Sequence, residues 1–423
     1  MIALAELIER FEPALLNRYE DRLLPSQRHA LAAMKRCRTR FAPRMLARCG
    51  ACGSERSVPH SCGHRACPHC QHHESQVWLQ RQLKSLVPAT YFMVTFTVPA
   101  ELRGLTWGHQ RVMYALLMQC AWATLNTFSH NDAKLGGTAG AVGVLHTHNR
   151  RLDFHPHVHR VMPAATLDAK QGLWRTKARP TRARRGKVRP TQARRSKDSA
   201  AKLSTKTDNR PADGGYLFNE RALATVFRAK LLDATQAAGL TLPPSLPAVW
   251  VAHCKAVGDG QKALLYLSRT LYRGVNQESD ILRCDDKGNV TFQYRHAKTG
   301  KLAQRTLPGA DFLWHVLQHV LPKGLRRSRN FGFLHPNSAG SIRLLQVLHL
   351  RVTPGNPVRP APERPAWRCV CGQPMLVVRR RMPPLQAGDA PNLPSMNPPA
   401  GNPPSLPVKP PDKPSPGQAH TMH

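Results

Sequence analysis

The run Phe154-His155-Pro156-His157-Val158-His159 carries histidine at every second position. On a β-strand, alternation turns His155, His157 and His159 to one face, about 7 Å from each to the next. Histidine is a mediocre core residue but the commonest protein ligand for a divalent metal, so the row points to metal binding. The plainer reading is a half-buried strand in a chain that has 21 histidines. A second concentration of donors is built of cysteine. Cys49-x2-Cys52 and Cys67-x2-Cys70 are two metal-binding pairs separated by 14 residues, a spacing that suits a tetrahedral Zn²⁺ site. His60, Cys62 and His64 lie between them, which is more donors than one ion needs. The four paired cysteines are expected to form a closed structural site. Cys62 and His60 stand as substitutes or as members of a second site. Cys369-Val370-Cys371 cannot make a site alone and stays unassigned.

The third group is a tyrosine on a helix. Gly258-Asp259-Gly260 offers a helix start, and Lys262, Arg269, Thr270 and Arg273 share the helical face of Tyr266. A phenol of pKa about 10 is a poor nucleophile at neutral pH; neighbouring cations favour its phenolate and would also hold a phosphate. Tyr272, six positions on, points away from Tyr266. Taken alone, a helical tyrosine is more often a core residue than a nucleophile.

These groups need elements to hold them. Residues 1–46 read as helical, and 49–73 are dense in Cys and His. Tyr91–Val98 reads as a strand ended by Pro99, followed by a helix at about 108–128. A Gly-rich strand at 139–147 and the His strand at 153–162 are close enough to form an antiparallel hairpin. Beyond them come a helix at 220–238, a strand at 248–253, the tyrosine helix at 261–273, a hairpin (279–283 and 290–295) and a helix at 310–321. The order is β-α-β-β-(insert)-α-β-α. It predicts an α+β fold: a small antiparallel sheet with packed helices, of the ferredoxin-like (RRM-like) kind. Four segments are expected: 1–85, helical and zinc-binding; 86–278, the sheet domain; 279–350, its C-terminal part; and 351–423, a Pro-rich disordered tail. Within the second, the insert at 168–212 carries eleven basic and no acidic residues between Arg175 and Lys197. It reads as a disordered loop that binds nucleic acid non-specifically, or as a solvated linker. Residues 383–423 hold 13 prolines.

Composition bounds the partners. Lys and Arg number 62 against 25 Asp and Glu, a net charge of +37, which makes nucleic acid the default partner. A basic structural or ribosome-associated protein is the alternative. No stretch approaches the roughly 20 apolar residues of a membrane span. The N-terminus places Glu6, Glu9 and Glu12 where a signal peptide would be basic and apolar. The expectation is a soluble, cytoplasmic protein without a membrane partner, in which eleven cysteines serve metal ligation rather than disulfides.

His157-Val158-His159, followed about a hundred residues later by Tyr266-Leu267-Ser268-Arg269, resembles the HUH single-strand nucleases. Within them the chain resembles the rolling-circle, two-tyrosine transposases of bacterial insertion sequences. The likeness runs from about 25 to 350. It takes in Ser61–Cys70, Val94–Pro99, Phe154–His159, Tyr272-Arg273-Gly274-Val275 and His319–Gly324. It implies an HUH nuclease palm preceded by a structural Zn²⁺ module, with Mg²⁺ or Mn²⁺ on His157 and His159. A third ligand is not placed, and His155 is a candidate on strand geometry alone. It further implies Tyr266 as nucleophile, forming a 5′-phosphotyrosine with single-stranded DNA, and Lys262, Arg269 and Arg273 as phosphate contacts. The partners implied are single-stranded and duplex DNA at the element's ends. The family's second tyrosine sits four residues after the first, where this chain has Thr270; Tyr272 is a weak alternative. The alternative functions are a plasmid replication initiator or relaxase, and a non-catalytic zinc-containing DNA-binding protein.

Overall fold

The computed structural model describes residues 2–168, 173–177, 217–272, 277–296, 299–348 and 367–384, all within one compact unit, Met1–Pro384. Among them the helices are α1 (Leu4–Tyr19), α2 (Pro25–Lys35), α3 (His72–Leu83), α4 (Arg103–Gly108), α5 (Gln110–Asn131), α6 (Glu220–Ala237), α7 (Gln261–Tyr272), α8 (Gly309–Leu317) and α9 (Ala339–Leu348). The first strands are β1 (Arg44–Cys49), β2 (Glu55–Pro59), β3 (Tyr91–Thr97), β4 (Thr138–His148), β5 (Phe154–Pro163), β6 (Ala165–Asp168) and β7 (Leu173–Thr176). They are followed by β8 (Ala252–Ala256), β9 (Ile281–Cys284), β10 (Asn289–Arg295), β11 (Leu302–Pro308), β12 (Ser328–Gly332) and β13 (Met375–Met382). The fold is α+β, and every strand pair is antiparallel. No helix among the described residues is long and apolar enough to cross a membrane.

The large sheet runs β7-β6-β4-β5-β3-β8, with β12 also paired to β4. Alternation gives it two unlike faces. Phe92, Val94 and Phe96 of β3 join Val158 and Met162 of β5 beneath α5 and α6, against Leu117, Leu125, Phe227 and Leu231. The other face takes Val161 and Val144 under α3, α7 and α9, packed by Trp78, Leu267 and Ile342. His155, His157 and His159 alternate with Val158 and so belong to this second face. A separate core joins α1 and α2 to α8 and the β11-β10-β9 sheet, through Ile8, Leu15, Phe292 and Phe312. The N-terminal helices thus pack on residues nearly 300 positions away in sequence, with Tyr19 stacked on Trp314 at 4.7 Å.

Three expectations from sequence shift here. The strand expected at 248–253 is β8, four residues later, because Trp250 turns its ring onto Phe227 (5.9 Å between centroids). Within the expected disordered insert, Leu173–Thr176 form β7, which pairs with β6 while Trp174 packs edge-on against Phe333. Residues 178–216 lie outside the described residues. Within the expected disordered tail, β13 pairs with β1 over Cys49↔Met375 to Arg44↔Met382; residues 351–366 and 385–423 lie outside the described residues.

One buried pair fixes how β4 meets β5. Gly143 and Arg160 are register partners, and Arg160 is fully buried with its guanidinium 4.1 Å from the Phe331 ring centre. Its Nη2 donates to the Met118 carbonyl of α5. Only glycine leaves room, since a Cβ at 143 would fall 2.1 Å from Arg160 Nη1. Gly143→Ala is therefore expected to cost about 1–3 kcal/mol in urea unfolding, the usual range for overpacking. In an Arg160→Met background the same change is expected to cost less, because the two sites share one space.

Candidate active site

The hairpin β4–β5 sets His146 opposite His157 and Val144 opposite His159. His146 therefore shares the histidine face. One ring nitrogen each of His146, His157 and His159 lies within 4.8 Å of the others, and the ring centroids are 4.5–5.1 Å apart. His155 occupies the same face but stands outside this group; its Nδ1 is 2.9 Å from Arg103 Nη2 of α4. His146 takes the place in the cluster expected of His155. Its one sequence signal is the alternation Val144-x-His146-x-His148 on the hairpin partner.

Burial dominates the electrostatics of the three rings. It pushes His157 down to about 4 and His159 to about 3, with His157 adding to the effect on His159. His146 is held well below its ordinary value by burial and then by His159, His157 and His148. All three are neutral imidazoles at pH 7 with lone pairs to offer. His157 Nδ1–H donates to the His155 carbonyl at 2.7 Å, which leaves Nε2 as its acceptor. His159 Nδ1 lies 2.8 Å from Thr95 Oγ1, so His159 is oriented from β3. The donor set fits a divalent cation, with the His155 carbonyl and the Thr95 hydroxyl fixing two of the rings as hydrogen bonds do at such sites.

Helix α7 brings the tyrosine to this face. Asp259 Oδ1 accepts from the Gln261 amide at 3.1 Å, and Gly260 (φ +84°) lets the turn close on Tyr91, whose ring would be 2.7 Å from a Cβ at that position. Ala263, Leu264, Leu267 and Leu271 bury one stripe. Tyr266 stands at its edge, 41% exposed, with its ring perpendicular to His159 at 6.2 Å. Burial raises its phenol pKa, and Arg150 in the β4–β5 turn opposes the rise. Nothing in the sequence spacing points to Arg150, because a turn cation 116 positions away has no helical relation to Tyr266. Lys262 and Arg269 are exposed on α7, Arg273 lies outside the described residues, and of Tyr272 only the backbone, ending α7, is described. Thr270 Oγ1 lies 3.1 Å from His146 Nε2 and 3.0 Å from the Leu267 carbonyl.

The paired cysteines separate into two clusters. Cys67 and Cys70 meet Cys37 and Cys62; Cys49 and Cys52 meet Cys369 and Cys371. One site built of both pairs is corrected by this geometry, because β1 and its following turn carry the first pair toward β13. In the first cluster Sγ separations are 3.5–3.6 Å. That is far longer than a disulfide and close to the roughly 3.8 Å edge of a tetrahedron with Zn–S of about 2.3 Å. These four thiols fit Zn²⁺. His60 and His64 turn elsewhere: His60 Nε2 accepts from the Arg381 amide and His64 Nδ1 from the Ala66 amide.

A further buried histidine holds the turn that carries Arg150. His319 Nε2–H donates to the Leu152 carbonyl at 3.1 Å, and its Nδ1 accepts from Thr147 Oγ1 at 3.2 Å. Burial pushes it down to about 3, so below about pH 6.5 the unfolded chain binds a proton that the folded chain refuses. Its stabilising contribution is complete above about pH 6.5 and is lost as pH falls toward 3. Urea midpoints measured from pH 7 to pH 4 should decline, and His319→Gln should lessen that decline while lowering the midpoint at pH 7.

A family model described as "Putative transposase" matches residues 140–341, which include His146, the histidine strand, Tyr266 and His319. A second, described as "Transposase zinc-binding domain", matches residues 7–98 and contains all four cysteines of the first cluster. The chain is similar to "Putative transposase y4qJ" of Sinorhizobium fredii, 28% identical over 336 residues, 78% of this chain and 79% of that one. It is likewise similar to "Transposase for insertion sequence element IS801" of Pseudomonas savastanoi, 26% identical over 333 residues, 72% of this chain and 70% of that one. No solved structure matches. Its cysteine module is thus similar to a transposase zinc-binding domain, and its histidine–tyrosine region is similar to that of insertion-sequence transposases.

Proposed function

We propose that this protein is a transposase that cleaves and rejoins single-stranded DNA through a 5′-phosphotyrosine on Tyr266, in a rolling-circle mode of transposition. The observation that carries the reading is the placement of Tyr266 edge-on to His159, beside the buried His146–His157–His159 group. The β3-α5-β4-β5-α6-β8 order with strands arranged β8-β3-β5-β4 supports a ferredoxin-like palm of the HUH kind. Three imidazoles without a carboxylate suit Mn²⁺ better than Mg²⁺, which prefers oxygen donors. A divalent cation held there supplies Lewis-acid polarisation of a phosphate and a template for its orientation.

The chain's own groups do the rest. Tyr266 Oη attacks the phosphorus; the new O–P bond replaces the bond to the 3′-oxygen, which leaves as a hydroxyl while the phenol gives up its proton. Arg150 lowers the cost of forming the phenolate that burial raises. Lys262 and Arg269 stand exposed on the same helix to meet flanking phosphates, and Arg273, outside the described residues, is proposed as a further phosphate contact from its sequence position. The diester energy is kept in the covalent link, so an incoming 3′-hydroxyl can reverse the step and join strands. Thr270, four residues after Tyr266, offers its hydroxyl to His146 rather than a second phenol. The mechanism proposed is therefore a single-tyrosine one, with Thr270 as a positioning residue. DNA at the element's ends, single-stranded and duplex, is the partner proposed for the basic surface.

Purified protein incubated with labelled single-stranded element ends and Mn²⁺ should give a denaturant-resistant adduct that Tyr266→Phe abolishes. No adduct, or one that persists in Tyr266→Phe, rejects the proposal. His146→Ala should reduce adduct yield by more than the about 10–100-fold typical of outer-shell changes. Thr270→Val should weaken Mn²⁺ binding about tenfold, with adduct formation recovered at high Mn²⁺, whereas Thr270→Ser should behave as wild type.

A further inference from the structure

The second cysteine cluster lies beyond both matched regions at one end: Cys369 and Cys371 follow residue 341, while Cys49 and Cys52 fall within the N-terminal match. The pairs approach with Cys49 Sγ 3.6 Å from Cys371 Sγ and Cys52 Sγ 3.5 Å from Cys369 Sγ, and all four are free thiols. These separations are too long for a disulfide of about 2.05 Å and close to the edge of a tetrahedral Zn–S₄ centre.

The two turns that present the thiols are built alike. In one, the Cys49 amide donates to the Ser54 carbonyl at 2.9 Å, and Gly53 (φ +72°) donates back to the Cys49 carbonyl at 3.0 Å. In the other, the Cys369 amide donates to the Gln373 carbonyl at 2.9 Å, and Gly372 (φ +84°) donates back to the Cys369 carbonyl at 2.9 Å. Each turn also aims backbone N–H groups at sulfur. The amides of Cys52 and Ala51 point to the Cys49 sulfur, that of Ser54 to Cys52, and that of Gln373 to Cys371. Amides on sulfur stabilise thiolate, the form that binds metal.

The sheet β13-β1-β2 gives a second reason to expect a ligand. Its buried apolar core consists of Ala47, Cys49, Cys369 and Met375, with Trp367 packed on its flank. Leu376 and Val378 of β13 face outward, 68% and 50% exposed. A core of four residues, two of them cysteines, is too small to hold a strand brought from more than 300 residues away. Small modules of this kind are held by a metal or a disulfide, and no disulfide is present.

We propose that Cys49, Cys52, Cys369 and Cys371 bind a second structural Zn²⁺, which staples the C-terminal strand β13 to β1 of the N-terminal module. With the site filled, β13 becomes a fixed edge strand that displays the exposed run Arg379-Arg380-Arg381. The metal completes a sheet that the N-terminal cysteines alone leave without half its ligands. This site is independent of the proposed chemistry at Tyr266.

Zinc content and thiol accessibility test it on the full-length protein. Elemental analysis after gel filtration should find about two Zn²⁺ per chain in wild type and about one in Cys369→Ser/Cys371→Ser. Wild type and double variant both at one would overturn the proposal. Mapping of cysteine alkylation by mass spectrometry needs no variant. The peptide bearing Cys369 and Cys371 should react at least about tenfold more slowly in native protein than after chelation. Equal rates with and without chelator, or a Cys369–Cys371 disulfide in the native protein, would overturn it. Cys371→His, which keeps a zinc donor, should retain the second ion.

Discussion

Antiparallel pairing sets His146 of β4 opposite His157 of β5, and Thr95 of β3 opposite His159 on the other side. The site depends on these two registers. Because side chains alternate faces, a slip of one residue would turn the histidines of β5 toward α5 and α6 and bring Val158 and Arg160 under α7. The Gly143–Arg160 pair is the local device against that slip. A glycine without Cβ on one strand receives a buried guanidinium from the other, which is held by the Met118 carbonyl and the Phe331 ring. The interaction lies on the face opposite the histidines. It constrains the site without touching it.

The two faces of the sheet thus divide their work. One is an ordinary apolar interface with α5 and α6. The other is apolar only toward the end where Val142, Val144 and Val161 meet α3, α7 and α9. Toward the other end imidazoles replace aliphatic side chains, and α7 passes from buried leucines to Tyr266 and Thr270. Burial, reinforced by the neighbouring imidazoles, keeps those rings neutral, which is the state a cation needs from them. The same burial raises the Tyr266 phenol, and Arg150 offsets it from the hairpin turn that His315 and His319 hold by the Leu152 carbonyl.

The cysteines link distant parts of the chain in a comparable way. One cluster is assembled within residues 37–70; the other spans Cys49 to Cys371. The α1–α2 segment packs on α8 and the β11-β10-β9 sheet. The N-terminal region is therefore joined to the later chain by apolar cores, and Cys49 and Cys52 also approach Cys369 and Cys371. The β6–β7 hairpin and β13 are ordered for the same reason: each has a specific partner, in Trp174 against Phe333 and in cysteines facing cysteines.

Local patterns in the sequence were enough for the α+β class, the strands at 91–98 and 153–162, the capped tyrosine helix and the presence of zinc-type cysteines. Each of those signals lies within one element or one turn, where period and spacing act directly. Tertiary structure decided which of these pieces meet. His146 rather than His155 completes the imidazole group because pairing across a hairpin, not position along one strand, brings nitrogens together. The cysteine pairs part company because a CxxC turn faces whatever its strand carries it toward. For Cys49 and Cys52 that is a strand more than 300 residues later, and for Cys67 and Cys70 it is Cys37 and Cys62. The cation acting on Tyr266 is Arg150 for the same reason. Spacing along a helix finds neighbours on that helix, while charge acts through space from any segment the fold delivers.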